Sequence, residues 1–395
     1  MLQQIMEPFK HDPYFILFIS VPSLKTLEVL HLYRYCEEDS HGGIERYLSI
    51  LCEALAPEVR STLLVSAPGP YHEEKEMAWG KIIKVPRFGE WKSTALNPTL
   101  FFKFKNNPCD IVHLHWPFPV GALACLMEKT SQKLIVSYHM ETQRFPILQK
   151  IFSPFLKQIL AQTNAIIVNS PPILKNSQTL HPFLPKCHII PYGIQIKNFS
   201  ENSDILTASR QIKETYKQPL ILYAGRVVWY KGIHILIQAM KGINATLLIV
   251  GDGPLRKQLE KIVIQEEVKE RVIFIGKVSS LLPYYYASEF LVLPSISRSE
   301  SFGIVQLEAM ACKKPVISTE LGTGTSWVNH HNVTGLVIKP GDPGELRQSI
   351  NFLLANPSLK IKLGENGRKR VEKQFAAETM ALKTLEIYKQ IANSA

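Results

Sequence analysis

The sequence predicts an α/β protein built from two doubly wound, Rossmann-like domains that face a central cleft. Three observations carry this expectation. Short apolar, β-branched runs recur with helical stretches between them. The runs are apolar on both faces, as parallel strands covered by helices require. They also fall into two series, one on each side of a single loop-like stretch.

The first series is LEVLHL (27–32), STLLVS (61–66), KIIKVP (81–86), DIVHLHW (110–116), KLIVSYH (133–139), AIIVNS (165–170) and HIIPY (188–192). The second is LILYAGRV (220–227), ATLLIVGDG (245–253), VIFIGKV (272–278), FLVLPS (290–295), KPVIST (314–319) and TGLVI (334–338). Between them lies PYGIQIKNFSENSDILTAS (191–209), rich in Pro, Gly, Asn and Ser, so the linker is placed at 192–209. A first domain then spans 25–191 and a second 210–375, with an extension over 1–24 ahead of the first strand. Residues 342–395 read mostly helical, and 376–395 are expected to form a helix that packs back on the first domain. The chain has 395 residues, which suits two domains of ~100–200 residues each.

Hydrophobic residues make up 46% and charged residues 20% of the chain, so a packed core is expected. The net charge is +11. Residues 1–190 carry 19 Lys/Arg against 16 Asp/Glu, which leaves 26 against 18 for the rest, so most of the excess lies in the second half. That balance suits an anionic ligand or an anionic membrane surface. No Lys/Arg run forms a basic tail, which argues against nucleic acid as the partner. The six cysteines form no C-x2-C pair, so no zinc or redox motif is indicated and buried reduced thiols are expected, as in the cytoplasm. The run YFILFISV (14–21) is too short to span a bilayer, and no other stretch reaches ~18 apolar residues.

In such folds ligands bind beyond the carboxyl ends of the strands. The polar or glycine-bearing loops HGGIER, HMETQR, GRVVWYKG, GDGP and GKV all follow strands and would point into one cleft. Among phosphate motifs, G-D-G-P-L-R (251–256) has Arg256 where a third dinucleotide glycine belongs, and Gly322-Thr-Gly324 fails likewise. The G-x4-G-K-[ST] pattern is absent, and none of the six aspartates is followed by a second at two residues' distance. A metal-bridged diphosphate site of that kind is disfavoured. What remains is a metal-free anion site. Arg226 follows a strand, Lys231 comes five residues later before a helix, and they offer a donor fork and a compact charge to phosphate. The alternative is an exposed basic pair. HGGIER (41–46) opens a helix whose first N–H groups could take an anion, or it is a plain turn.

The stretch RSESFGIVQLEAM (298–310) holds Glu300 and Glu308. Were all of it helical, the two carboxylates would be ~12 Å apart along the axis and ~80° apart around it. Glycosidase carboxylates stand ~5–9.5 Å apart, so a hydrolytic couple is a poor fit. A helix beginning near Ser301–Gly303 instead puts Glu300 in the loop ahead and Glu308 about a turn and a half inside. Its N-terminus would form an anion site between two carboxylates. A ligand with phosphates in the middle and hydroxyl-rich rings at both ends would fit. A favourable charge at a helix start beside a solvated glutamate would explain the residues equally.

Taken together, the ordered motifs HGGIER, DIVHLH, VSYH, IIPYGI, AGR-x4-KG, IVGDGP, FIGKV, S-E-S-F-G-x4-E-A-M-A and VTGLVI resemble the retaining glycosyltransferases of family 4, which have the two-domain B fold. The resemblance covers roughly residues 25–390. It implies a nucleotide-sugar donor, no metal or other cofactor, and transfer onto a glycan or lipid-linked acceptor. By position, Glu300 would contact hydroxyls of the transferred sugar and Glu308 would hold the ribose. Arg226 and Lys231 would bind the diphosphate, helped by backbone N–H groups of Phe302, Gly303 and Ile304, while Gly43 would approach the phosphates from the other domain. His139 would lie by the reacting sugar, and Lys277 and Val278 near the base. The family mechanism is front-face transfer with retention and no protein nucleophile.

Many relatives carry Gly-Gly and then a Glu where this chain reads ELGTGTSWVN (320–329). That variant is similar to bacterial polysaccharide mannosyl- and rhamnosyltransferases and favours a GDP-linked donor in polysaccharide or lipopolysaccharide synthesis. The expected location is the cytoplasm, and the surface it would meet is the inner face of the cytoplasmic membrane. The stretch RFPILQKIFSPFLKQIL (144–160), with Arg144, Lys150 and Lys157, could lie on anionic lipid, or form a core helix with a basic outer face. The rival readings are a nucleotide-sugar epimerase or a glycan phosphorylase on the same fold, and a non-catalytic sugar-nucleotide-binding subunit.

Overall fold

A computed structural model describes residues 26–394 apart from 41, 57, 92–93, 96, 128–132, 142–145 and 217. The extension over 1–24 and Arg144 lie outside the described residues, as do the side chains of 146–151.

The first domain runs β1 (Leu27–Leu32), α1 (Gly43–Leu55), β2 (Val59–Ser66), β3 (Glu73–Met77) and β4 (Gly80–Val85). A two-stranded ribbon, β5 (Glu90–Trp91) and β6 (Thr94–Ala95), leads to α2 (Thr99–Lys105) and β7 (Ile111–Trp116). Then come α3 (Pro119–Met127), β8 (Lys133–Tyr138), α4 (Pro146–Gln162), β9 (Ala165–Val168), α5 (Pro171–Asn176) and β10 (Cys187–Ile189). The sheet order is β10-β9-β8-β7-β1-β2-β4-β3. Every pair is parallel except β3 with β4. The antiparallel β3, EEKEM, escaped the sequence reading because an edge strand pairs on one side only and needs no apolar run.

The second domain runs α6 (Ser203–Tyr216), β11 (Leu220–Ala224), α7 (Ile233–Ala239), β12 (Thr246–Val250), α8 (Arg256–Gln265) and β13 (Val272–Gly276). It continues through α9 (Leu282–Ala287), β14 (Phe290–Leu293), α10 (Ile304–Ala311), β15 (Val316–Thr319), α11 (Gly324–Val328) and β16 (Gly335–Ile338). Its sheet, ordered β13-β12-β11-β14-β15-β16, is wholly parallel. Helix α6 begins inside the stretch read as linker. Asn202 Oδ1 accepts the Ile205 N–H at 2.9 Å, so the polar cluster is a helix cap and not more loop.

Helices α12 (Pro343–Ala355), α13 (Pro357–Gln374) and α14 (Ala377–Ala392) close the chain. The last returns to the first domain. Ile194 bridges Ala376, and Tyr388 OH lies 2.6 Å from His113 Nδ1 in the first sheet. The order of the strands in each sheet reverses at one point, between β1 and β7 in the first and between β11 and β14 in the second. Loops leaving such switch points splay apart and open a crevice. The two crevices face each other.

Candidate active site at the interdomain cleft

The second domain supplies one wall from the loops after β11 and β14. Gly225 has φ +142 and donates its N–H to Val250 O at 3.0 Å, which turns the chain sharply into Arg226. Arg226 is exposed to the cleft. One 3-10 turn, Trp229–Lys231, then drops Lys231 back under it. Gly232 has φ +66, and a Cβ there would lie 2.1 Å from Pro294 O, so only glycine lets this turn pack on the β14 loop. Lys231 and Glu300 are both buried and form an ion pair. Burial alone would pull the ammonium down, but the Glu300 carboxylate outweighs it and leaves Lys231 raised above its ordinary value. Ser295 Oγ donates to Glu300 Oε2 at 3.0 Å, and Thr323 Oγ1 donates to Glu300 O at 2.7 Å.

Helix α10 starts at Gly303, which has φ +75 and supplies no capping side chain. Glu308 lies one turn inside it, buried, and takes the Tyr285 hydroxyl on Oε2 at 2.8 Å. Its Oε1 pairs with Arg46 Nη1 at 3.0 Å. Arg46 belongs to α1 of the first domain, so this pair crosses the cleft. The α1 N-terminus also reaches over: a Cβ on Gly43 would lie 3.7 Å from Ile304 Cδ1. Glu45, in the same turn, is buried, and burial raises its carboxyl pKa against the opposing pull of Arg34, Ser40 and, from the other domain, Arg226.

The structure therefore brings Gly43, Arg226, Lys231, Glu300, Gly303, Ile304 and Glu308 to one cleft. Phe302 is there too, but its ring is buried against Tyr192 at 4.8 Å and Phe375 at 6.0 Å between centroids. Lys277 is exposed and Val278 half-buried just past β13. The sequence motifs did not point to Arg46, Glu45, Tyr285 or Tyr192 as site residues. Arg46 stood inside HGGIER, but which helix face it would take depended on where α1 began.

His139 differs from expectation. Its ring was to lie beside the reacting sugar, but it is 2% exposed and neither nitrogen is open to the cleft. Nδ1 meets Tyr192 OH at 2.6 Å and Nε2 meets His115 Nδ1 at 3.0 Å. The reason is a set of inward-facing imidazoles. His113 and His115 alternate onto one face of β7, and His31 stands in register with His113. The H-L-H alternation in DIVHLH was the available signal.

His31, His113 and His115 have ligand atoms within 4.8 Å of one another. They form a hydrogen-bonded core and not a metal cage. Tyr388 OH at 2.6 Å and Ser137 Oγ at 2.8 Å occupy both His113 nitrogens. His115 is bonded at both of its nitrogens as well. Burial lowers His31 and His139 to about 3 and holds His113 and His115 well below 6.5, so all four are neutral at pH 7.

Residues 204–370 match the family model for glycosyl transferases group 1, and residues 41–198 match that for Glycosyltransferase Family 4. The chain is 30% identical over 377 residues to O-antigen chain mannosyltransferase C of Escherichia coli, covering 93% of this chain and 100% of that one. It is 30% identical over 363 residues to the D-rhamnosyltransferase WbpZ of Pseudomonas aeruginosa, covering 89% and 93%. Among solved structures, sucrose-phosphate synthase from Thermosynechococcus elongatus superposes with a TM-score of 0.78 at 25% identity, covering 92% of this chain and 99% of that one. Anabaena HepE in complex with UDP and glucose gives a TM-score of 0.75 at 21% identity, over 92% and 99%.

Proposed function

The chain belongs to the glycosyltransferases of group 1 and family 4, with the two-domain B fold, and from that premise we propose that it moves mannose or rhamnose from a GDP-sugar, with retention, onto a growing glycan or lipid-linked acceptor in polysaccharide synthesis. One observation carries the reading. Two cations, exposed Arg226 and buried Lys231, share the place where two domains meet with two buried carboxylates, Glu300 paired with Lys231 and Glu308 paired with Arg46 of the other domain. That set of charges suits a ligand with a sugar, a diphosphate and a ribose. The choice of sugar follows the names of the two relatives at 30% identity.

In this reading Glu300 accepts hydroxyls of the donor sugar and Glu308 those of the ribose. Lys231, kept protonated by Glu300, and Arg226 neutralise the departing diphosphate, assisted by the N-terminus of α10. A charge fixed before the substrate arrives needs no reorganisation during the reaction. His139 acts through the groups it orients, since its ring nitrogens are engaged within the protein. A donor phosphate oxygen takes the acceptor proton, so no protein base or metal enters the scheme. Catalysis then rests on positioning and on stabilising the leaving group.

A lipid-linked acceptor would bring the first domain to an anionic membrane at the cytoplasmic face. Exposed Phe155 and Lys157 on α4 support that contact. No helix among the described residues is long and apolar enough to cross a membrane. Co-sedimentation with anionic vesicles at low salt tests it, and no binding would reject it.

The deciding experiment is a thermal-shift panel of GDP-, UDP-, ADP- and dTDP-hexoses, followed by product analysis with the stabilising donor. GDP-sugars should raise the melting temperature most, and the product should keep the anomeric configuration of the donor. Stabilisation by another nucleotide alone would overturn the GDP assignment, and an inverted product would overturn retention.

A further inference from the structure

Glu300 presents a single oxygen to the cleft. Its Oε2 takes both the Lys231 ammonium and the Ser295 hydroxyl, the latter at 3.0 Å. Its Oε1 takes no hydrogen bond among the described residues and is not one of their sealed polar atoms, so it is the oxygen left open. Glu308 differs, since Tyr285 and Arg46 hold one of its oxygens each. Two protein donors on one carboxylate oxygen restrict its rotation and so fix where the other oxygen points.

Ser295 belongs to a buried set of hydroxyls. Thr319 Oγ1, at the end of β15, donates to Ser295 O. Thr323 Oγ1 donates to Glu300 O at 2.7 Å. Thr325 Oγ1 lies 3.1 Å from Thr323 Oγ1 and 3.4 Å from Thr319 O. All four residues are at most 3% exposed. Each hydroxyl has one proton to give, while carbonyls and an ionised carboxylate only accept. Ser295 therefore gives to the Glu300 side chain, Thr319 to Ser295 and Thr323 to the Glu300 backbone. Thr325 gives its proton to Thr323, the nearer of its two partners. The set converges on Glu300 at both its carboxylate and its main-chain carbonyl.

Thr323 stands at the N-cap of α11, where a threonine hydroxyl ordinarily accepts from the first N–H groups of its own helix. Here its side chain makes no such cap, and its proton goes to the Glu300 loop. Gly324 follows the same course, since its N–H donates to Ser301 O at 2.7 Å. Two consecutive residues at the start of α11 are thus turned onto the segment that carries Glu300. The stretch 322–325, which fails as a dinucleotide motif, holds a loop instead.

We propose that Ser295, Thr319, Thr323 and Thr325 form a buried hydroxyl bracket that positions Glu300 and turns its Oε1 toward the donor sugar. Ser295 and Thr323 are its two contacts with Glu300 and act as positioning residues, since neither needs to touch the ligand. The proposal rests on the reading of Glu300 as a sugar-binding group. Lys231 cannot do this alone. Once a donor is bound, its ammonium is shared with the diphosphate, and the Ser295 hydroxyl is what keeps Oε2 occupied.

The test uses the full chain with Ser295→Ala, Thr323→Val, Thr323→Ser and Glu300→Gln. It measures kcat/KM with the donor that stabilises the protein most, and the affinity for sugar-free GDP and UDP by calorimetry. Ser295→Ala should lower kcat/KM by about tenfold to hundredfold, the change for one lost hydrogen bond to a charged group. Thr323→Val should lower it by about threefold to tenfold, as for a neutral bond, and Thr323→Ser, which keeps the hydroxyl, should stay within about twofold of the wild type. The affinity for GDP and UDP should stay constant in these three variants, because those probes do not reach Glu300. Unchanged kcat/KM in Ser295→Ala, beside its loss in Glu300→Gln, overturns the proposal. So does an equal fall in kcat/KM and in GDP affinity, which marks a general loss of structure. A Thr323→Ser variant no better than Thr323→Val overturns it as well, since the methyl group and not the hydroxyl would then matter. Should Ser295→Ala fail to fold, the two Thr323 variants carry the test. Unchanged kcat/KM in Glu300→Gln is the failure of the sugar-binding reading itself, and the proposal falls with it.

Discussion

Arg46 of the first domain and Glu308 of the second form an ion pair across the cleft, with Nη1 3.0 Å from Oε1. Tyr285 OH holds the other carboxylate oxygen at 2.8 Å. Both oxygens proposed to receive the ribose are therefore already engaged, and a ligand must displace Arg46 or share with it. Arg46 is 37% exposed, so the pair is screened and worth only about 0.5–1 kcal/mol. Arg46→Met should tighten GDP or UDP binding by about twofold to fivefold in calorimetry. Weaker binding would mean that Arg46 contacts the ligand directly.

Lys231 and Glu300 pose the opposite case, since both are buried. Removing either leaves an uncompensated charge in the core, at a cost of about 3–5 kcal/mol. Lys231→Met and Glu300→Gln should each abolish transfer and lower the urea midpoint. The double variant should recover most of the stability and none of the activity. Near-normal turnover in either single variant would remove that residue from the site.

Acid should destabilise the fold through the imidazoles. His31 and His139 have their pKa values lowered by burial to about 3, and His113 and His115 lie well below 6.5. In the unfolded chain these groups take up protons below pH ~6.5, while the folded chain does not. Stability is therefore fully present above that pH and falls as the pH drops toward 3. The slope is at most ~1.4 kcal/mol per pH unit for each histidine. Melting temperatures between pH 8 and pH 5 should show a plateau and then a steep fall, and a flat profile would mean that the core imidazoles are protonated within the fold.

Tyr388→Phe removes a buried hydroxyl 2.6 Å from His113 Nδ1 and leaves that nitrogen unpaired. The expected loss is about 1–3 kcal/mol by urea unfolding. It should raise amide exchange first in α14, the helix that ties the end of the chain to the first domain. Equal exchange in α14 before and after would show that its apolar face alone docks it.

Gly303→Ala forces a side chain onto φ +75, where its Cβ would also lie 2.7 Å from Leu293 Cδ2 and 2.8 Å from Gln306 Nε2. The left-handed backbone alone costs about 1–2 kcal/mol. The variant should lose donor binding in the thermal-shift panel more than it loses fold stability. An unchanged donor shift would separate the start of α10 from the phosphate site.

Much of this site was legible because its residues cluster in short motifs after strands. Glu300, Gly303 and Glu308 share one loop and one helix, and Arg226 and Lys231 share one turn. Spacing along a helix is local geometry, so it can be read without the fold. The start of α6 was misread because the Ser- and Asn-rich stretch that caps a helix has the same composition as a loop. His139 was expected beside the reacting sugar and not as a saturated ring, because its ring partners come from β7 and the segment after β10, 24 and 53 residues away.

By itself the sequence determined the two-sheet architecture, the family and the order of carboxylate and cation along the second domain, because apolar periodicity and short motifs act over a few residues. Only the tertiary structure decided which charges neutralise one another. Lys231 with Glu300, Arg46 with Glu308 and the imidazole chain ending on Tyr192 all join strands or domains far apart in sequence. Burial fixes those pairings, since a charge or an N–H removed from water must take whatever partner the packing brings within reach.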